Sequence, residues 1–479
     1  MRIILLLLLL ASCSSSHIAE TPLFDAENNW PETGLSPEEP MREGFPLIEP
    51  YVVELQEPAA TKIVETTLQE ALCSLQPGER LVVTGNHQPT FEYKGKRIFA
   101  VTTDAGCTPG TAEQPIQVVG EDATLRSTLL IGLPHWQFVN LEVTPEMREE
   151  MPGIYLQADN TLLNNVHVHS GRKDGIIVAG ASDIVIANSH IHNFLFEEHG
   201  EVSDAHGIVL WPPSENVLIV NNHIHHNSGD AIQVWGPGYE AHEHGRVTNV
   251  QVLGNRLHDD RENALDVKDA KDVIIKNNKI WNYRASATST GAGITIHYDA
   301  DDIVVEENYI SNAEFGVNVA RGVVNGAPAV GKPNNVLIYN NYLESSLRER
   351  GAAVEIYAAE CVNVYHNDIV GFGGGVLAQY FPEDTKDVHI ANNLFRGQGL
   401  LGMWLMEGVT AEYNAFAEDI QVQLGGGSPL SEEHMHAFSS RKETFPHSVL
   451  GTNGQGKVLD TPCVGTLKQN DPPAIGQSI

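Results

Sequence analysis

Basic residues are scarce in this chain. Its 479 residues include 29 Lys and Arg against 62 Asp and Glu, for a formal charge of -33. A nucleic-acid partner needs a basic surface that displaces counterions from the phosphates, so that class is excluded. The same argument disfavours docking of a folded domain on an anionic membrane surface. An acidic surface does suit a hard cation such as Ca2+, and a polyanionic substrate fits only where a local cationic groove exists. Long apolar runs are missing too: Ile3 to Leu10 is too short to span a bilayer, and no later stretch reaches the roughly 18 residues that a membrane-spanning helix needs. Cysteine is sparse, with five in all and none in a CxxC or CxxC/HxxxH spacing, which excludes the usual structural zinc site. GxSxG, the phosphate-cradling glycine loops and the calcium-binding glycine–aspartate nonapeptide are also absent.

What is present begins at the N-terminus. Met1-Arg2 supplies a positive charge, Ile3 to Leu10 an apolar run, and Leu10-Ala11-Ser12-Cys13 a small-residue site ending in cysteine. These residues resemble a bacterial lipoprotein signal, which implies cleavage before Cys13 and a lipid on it. Residues 1–13 are then a signal segment. The protein would be held to the cell envelope, at the outer membrane or outside the cell, through that lipid alone. Residues 14–50 are polar, acidic and proline-bearing and read as a flexible tether. With Cys13 set aside, Cys73, Cys107, Cys361 and Cys463 remain, an even count that an exported chain can pair in three ways. Cys73–Cys107 is the favoured pair, and Cys361–Cys463 follows more weakly. Nothing in the sequence calls for more than a monomer.

From residue 160 an internal repeat sets the fold. Its nine-residue copies include DIVIANSHI (183–191), NVLIVNNHI (216–224), NVQVLGNRL (249–257), DVIIKNNKI (272–280) and DIVVEENYI (302–310). The series continues through NVLIYNNYL (335–343), CVNVYHNDI (361–369), DVHIANNLF (387–395) and GVTAEYNAF (408–416), with a divergent first copy at 160–168. Each copy reads as an apolar strand, a turn and a second short strand. The seventh position carries Asn222, Asn255, Asn278, Asn308, Asn341, Asn367, Asn393 and Asn414, expected to stack as an internal hydrogen-bonded ladder. Strands repeating without 3.6 periodicity, one coil per copy, predict an all-β parallel β-helix of about ten rungs over 51–424, spaced by the usual ~4.8 Å between strands. Residues 425–479 read as a C-terminal cap and tail. At the other end, Thr61 to Leu75 has apolar residues at helical spacing, Pro77-Gly78 ends it, and Arg80 to Thr84 reads as a strand. This short helix, together with Gly110 to Ile116 (GTAEQPI), resembles the N-terminal cap of right-handed parallel β-helix proteins, where it covers the open end of the solenoid.

A second register lies between the copies: GIVLW (207–211), AIQVW (231–235), ALDVK (264–268), GITIH (293–297), GVNVA (316–320) and AVEIY (353–357). Alternation sends the third and fifth residue of each outward. One face would then display Val209, Gln233, Asp266, Thr295, Asn318 and Glu355, flanked by Trp211, Trp235, Lys268, His297, Ala320 and Tyr357. Trp211, Trp235 and Tyr357 offer surfaces for sugar rings, while Gln233, Asn318, Arg321 and Glu355 would hydrogen-bond a bound polymer. Asp230, Glu262 and Asp266 are candidate oxygen ligands for Ca2+. Elimination from a uronic acid requires a base for the C5 proton and positive charge on the neighbouring carboxylate. Lys268 serves as that base if neighbouring cations lower its pKa, and His297 protonates the leaving oxygen or binds the carboxylate.

ENALDVK (262–268) followed by GITIH (293–297) is similar to the active-site rungs of the alginate lyase and chondroitinase B family of polysaccharide lyases. The resemblance implies a uronate-containing polysaccharide as substrate, with Lys268 matching that family's basic lysine. It departs elsewhere: His297 stands where the family has arginine, and Arg261 and Asn263 stand where it has two calcium-binding glutamates. Asp259, Asp260 and Asp266 also loosely resemble the acidic cluster of a pectate lyase family. The aspartate pattern of the β-helical polygalacturonases is not evident. Three readings stand: a lyase, a glycan-binding or structural module using the same strip without turnover, and a hydrolase using Asp230 and Asp266. The Lys268–Asp266 pair read alone is equally an ordinary surface ion pair. A second group, His167, His190 and His223 at the eighth position and His169, His192, His225 and His258 at the tenth, reads as a structural stack or as a transition-metal face. His199, His206, His242 and His244 add loop histidines.

Overall fold

The computed structural model describes residues 51–424, apart from the short segments 146–150, 199–200, 237–244, 325, 348–350, 380–384, 398–400, 406–408, 413 and 417–421. Cys13 and the signal segment, the tether 14–50, the tail 425–479 with Cys463, and His199, His242 and His244 lie outside the described residues. No helix among the described residues is long and apolar enough to cross a membrane.

Each nine-residue copy folds the same way because two of its positions demand an unusual backbone. The first residue takes a left-handed conformation, with φ of 60° at Asp183, 55° at Asn216, 52° at Asn249 and 56° at Asp272. So does the sixth, with φ of 50° at Asn188, 55° at Asn221 and 56° at Asn277. Asn and Asp tolerate this region better than any residue but glycine, which is why the copies open on them. Between the two bends runs one strand, as in Ser182–Ala187 and Glu215–Val220; after the second bend runs another, as in His190–Phe194 and His223–His225. The seventh-position asparagine sits at the corner between them, fully buried. Asn278 shows the pattern: its Nδ2 donates to Asn308 Oδ1 at 2.9 Å and to the Val252 carbonyl at 2.9 Å, while its own Oδ1 accepts from the Asn255 amide nitrogen and side chain. Every polar atom of the amide is satisfied, which is the condition for burying it.

The strands stack in parallel into three columns. Two belong to a 24-stranded sheet and the third is a 14-stranded sheet that alternates with them along the chain. Inward residues form one continuous core; in the third column Ile208, Leu210, Ile232, Val234, Leu265, Val267, Ile294 and Ile296 are all 0% exposed. Each such side chain contributes about 1.5–3 kcal/mol on leaving water.

The N-terminal part differs from the expectation in two ways. The helix covers only Leu68–Cys73, capped by Thr67 and Glu70, whereas Ala60–Ile63 pairs as a strand with Glu79–Val82. A free strand edge at the end of the solenoid outweighs the helical spacing of those few residues. The coils also begin earlier than the repeat. Glu79–His87, Ile116–Leu125 and Trp136–Val143 are long strands that run through the corner, with register shifts at Thr84/Gly85 and Val119/Ala123. These coils lack the corner asparagine, so the sequence pattern misses them. Cys73 and Cys107 are disulfide-bonded, as expected. Cys361 is buried and unpaired among the described residues. Residues 51–55 lie against an outward apolar patch of Leu162, Val185 and Leu218, held by Tyr51 through two hydrogen bonds with Asn188.

Candidate functional site

The third column positions the strip. Its strands pair in register so that Val209, Gln233, Asp266, Thr295, Asn318 and Glu355 form one row and Lys268, His297, Ala320 and Tyr357 a second. The rows follow the sequence reading, but their depth does not. Val209, Gln233, Asp266, Thr295 and Asn318 are all buried, because side chains stacked one strand spacing apart shield each other. The fifth-position residues reach solvent instead. Trp211 and Trp235 are the most open, 38% exposed each, with ring centroids 6.5 Å apart.

Lys268, Asp266 and His297 converge. Lys268 Nζ lies 2.9 Å from Asp266 Oδ2, and His297 Nδ1 lies 3.7 Å from Asp266 Oδ1. Burial pulls the Lys268 ammonium down, but Asp266 and then Asp230 outweigh it and hold its pKa above the ordinary lysine value. The condition for Lys268 as a base was a neighbourhood of cations; the neighbours are carboxylates, so the side chain stays a cation. Burial lowers His297 below the usual imidazole value despite Asp266, leaving a neutral ring whose side chain is 24% exposed. Its Nδ1 faces Asp266, which directs Nε2 away from the carboxylate. Tyr298 follows at once, its ring centroid 5.7 Å from that of His297. A bulky residue with φ of 59° is unusual, and Gly322 accommodates it: a Cβ there would stand 2.6 Å from the Tyr298 ring. Burial raises the Tyr298 phenol, so it too is neutral.

Three atoms along the floor stand out. Asp266 Oδ1, Thr295 Oγ1 and Asn318 Oδ1, on three successive rungs, are buried without a hydrogen-bond partner. Buried polar groups are normally satisfied, and these three, closed off from solvent, are exceptions.

The carboxylates expected to bind calcium do not converge as a set. Asp230 and Glu262 come together with His206, their ligand atoms within 4.8 Å of one another, and Asp266 remains with Lys268. Asp230 is fully buried and already accepts from the Asn263 amide nitrogen and Nδ2 and from Gln233 Nε2, at 3.0, 2.9 and 3.2 Å. Burial raises its carboxyl, but His206, Lys268 and Asn263 outweigh this and keep it ionised. Glu262 goes the other way: burial first, then Asp230 and Asp204, push it up to about 8. An imidazole nitrogen and two carboxylates, one of which already accepts three hydrogen bonds, do not by themselves supply the six or more oxygen ligands that a calcium ion needs. Gln233 is likewise committed to Asp230 rather than to the open strip. Arg321 donates through Nε to the Ala329 carbonyl at 2.8 Å, and Glu355 and Tyr357 close the far end of the strip, partly exposed.

His206, read from the sequence only as a loop histidine, belongs to this cluster. Counted back by one residue from the strand register, His206, Asp230 and Asn263 occupy the same slot of three successive rungs, as the amide bonds Gly207 to Asp230 and Ala231 to Asn263 demonstrate. Extending the register one residue upstream would have found it. Tyr298 lies one residue beyond the same register, and Thr288, which donates to Glu262, comes from a loop that no repeat positions.

Residues 152–239 match the family model described as the right handed beta helix region. Among solved structures, the chain is similar to a variant of the PL6 family alginate lyase AlyGC, with 13% identity, a TM-score of 0.51 and coverage of 77% of this chain and 53% of that one. It is similar to the alginate lyase of a Paenibacillus species at 16% identity and a TM-score of 0.46, covering 71% of this chain and 99% of that one. It also resembles the Streptococcus pneumoniae surface protein and adhesin PfbA at 14% identity and a TM-score of 0.47, covering 74% and 94%. No curated protein matches it in sequence. At these identities the likeness is one of fold: a right-handed parallel β-helix.

Proposed function

We propose that this is an envelope-anchored enzyme that binds a uronate-containing polysaccharide along the third column and cleaves it by β-elimination. The observation that carries the reading is the convergence of a cation, Lys268, and a neutral imidazole, His297, both partly exposed, on Asp266. Trp211 and Trp235 would stack on pyranose rings at one end and Tyr357 at the other, with Asn318, Glu355 and Arg321 between. The lipoprotein-like N-terminus supports attachment at the outer membrane, facing such polymers, and the alginate lyases among its structural relatives agree with the substrate class.

The roles follow from charge state. Lys268, held as an ammonium, neutralises the uronate carboxylate and makes the C5 proton acidic. His297, neutral, takes that proton on Nε2. The electron pair released at C5 forms the C4–C5 double bond, the C4–O4 bond breaks, and the leaving oxygen takes a proton from the Tyr298 hydroxyl. Asp266 holds Lys268 and faces His297 Nδ1. Hydrolysis through Asp230 is disfavoured, because that carboxylate is fully buried and its hydrogen bonds are saturated.

The test is ultraviolet absorbance of the unsaturated product. Mature protein is mixed with alginate, pectate and chondroitin sulfate, with calcium and with chelator. A rise abolished by His297→Gln and by Lys268→Met supports the lyase. New reducing ends without unsaturation would replace it with a hydrolase. Retention of one polymer without any product would leave a glycan-binding module.

A further inference from the structure

On the second column of the 24-stranded sheet, away from the carbohydrate strip, seven imidazoles stand in two files. His167, His190 and His223 pair in register, and so do His169, His192, His225 and His258. Within each file the rings stack 4.8–5.2 Å apart, nearly parallel: His167–His190, His190–His223, His169–His192, His192–His225 and His225–His258. Between files, Nε2 meets Nε2 diagonally at 2.8 Å (His167–His192), 2.8 Å (His190–His225) and 2.7 Å (His223–His258). Carboxylates stand at both ends: Glu142 Oε1 is 2.8 Å from His169 Nε2, and Asp259 Oδ2 is 2.7 Å from His258 Nδ1. Each diagonal pair is an N–H···N hydrogen bond between two rings, and it leaves nitrogens of neighbouring rings close enough to share an ion.

We propose that this histidine face binds first-row transition-metal ions of the zinc class, one held by His190, His223 and His225 and a second by Glu142, His167 and His169. In each of these two groups the ligand atoms lie within 4.8 Å of one another, and the two groups share no residue. All six side chains are partly exposed, so an ion from solvent reaches them. Imidazole suits zinc, copper and nickel, and two or three imidazoles with a carboxylate are common zinc donor sets. A tetrahedral ion at about 2.0–2.1 Å from each nitrogen separates its ligands by about 3.3 Å. The His190–His225 pair in one group and the Glu142–His169 pair in the other, each at 2.8 Å, must therefore open by roughly half an ångström, which side chains on a partly exposed face can do. Each neutral imidazole keeps its single proton on binding and moves it to the nitrogen that does not face the metal, so no base is needed. A chain of formal charge -33 draws cations to such a face.

Tag-free protein stripped with chelator and titrated calorimetrically with ZnCl2 alone tests this. Two ions per chain are expected. His223→Gln should remove one of them, and Glu142→Gln should weaken the other at least tenfold. Wild-type protein with Co2+ provides a readout that needs no variant: the intense visible bands of low-coordinate cobalt, displaced by Zn2+. Absence of both zinc heat and cobalt bands overturns the proposal. So does zinc binding that survives both substitutions but disappears in Glu262→Gln, which would move the metal to the His206 cluster. Carbohydrate cleavage is not part of this experiment, so its outcome is independent of the lyase reading.

Discussion

Two residues of the strip carry opposite consequences of burial. Lys268 is surrounded by carboxylates and stays charged; His297, beside the same Asp266, is held neutral. If His297 is the base, it works only when unprotonated, and its pKa lies below the ordinary 6.5. The acidic limb of the rate profile should therefore fall at a pH below 6.5, whereas a base left in water would lose activity already through that value. A limb at or above 6.5 would remove His297 from the role. Replacement by Gln keeps a polar side chain of similar reach but no base, and should lower turnover at least ~100-fold, the usual contribution of a positioned base. A residue serving only to bind polymer would change KM and leave kcat. The buried corner allows an equally local prediction for stability. Asn278→Ala takes the acceptor from the Asn255 backbone N–H and side chain and the side-chain donor from the Val252 carbonyl, and should destabilise the protein by about 3 kcal/mol in denaturant unfolding, since buried polar groups lose partners.

The strand columns decide how far sequence could be read. Where a copy carries Asn or Asp at its first bend and Asn at the corner, the backbone requirement is written in the residue, and the copies at 216, 249, 272, 302, 335 and 387 are legible one by one. The register followed, and with it both rows of the strip and both files of histidines. Three things were not legible. The coils at Glu79–His87, Ile116–Leu125 and Trp136–Val143 turn their corners by continuous, bulged strands and need no asparagine. The depth of the strip depends on stacking between rungs, which alternation within one strand does not report. Charge state was misjudged for the same reason: Lys268 meets Asp266 in its own strand, but Asp230 reaches it from a slot before the neighbouring strand. The histidine files carry the prediction proper to this level. Burial first, then the neighbouring imidazoles, lowers His190, His192 and His223 to about 3. Unfolding frees them to bind protons near 6.5, so between about 6.5 and 3 the unfolded state binds more protons and stability must fall as pH falls. In chelator, Tm should drop through this window by more in the wild type than in a variant with all three replaced by Gln. Parallel curves would mean that the imidazoles are solvated.

A solenoid distributes its stability along one axis, because each coil touches only the next. The end coil therefore has one neighbour instead of two, and something must stand in for the other. Here that is the helix Leu68–Cys73, whose Leu68 and Leu72, with Leu75 just beyond, enter the core, while Gln69 bonds both polar groups of the Ala100 backbone. The Cys73–Cys107 disulfide ties this cap to the first coils across a sequence separation of 34. A loop of that size is expected to contribute about 4 kcal/mol through the unfolded chain. In a two-state globular protein the loss would be shared by the whole molecule. In a stack of coils it should be felt where the cap sits. Replacing both cysteines by serine is therefore expected to release amide protection in Leu81–Val83 and Ile116–Val118 first, while Val250–Val252 and Ile303–Val305, some rungs away and held by the asparagine ladder, exchange as before. Hydrogen exchange read by mass spectrometry separates the alternatives. Uniform loss across all coils would mean that the chain unfolds as one cooperative unit. Unchanged exchange at the N-terminal strands would mean that the buried leucines alone close the end.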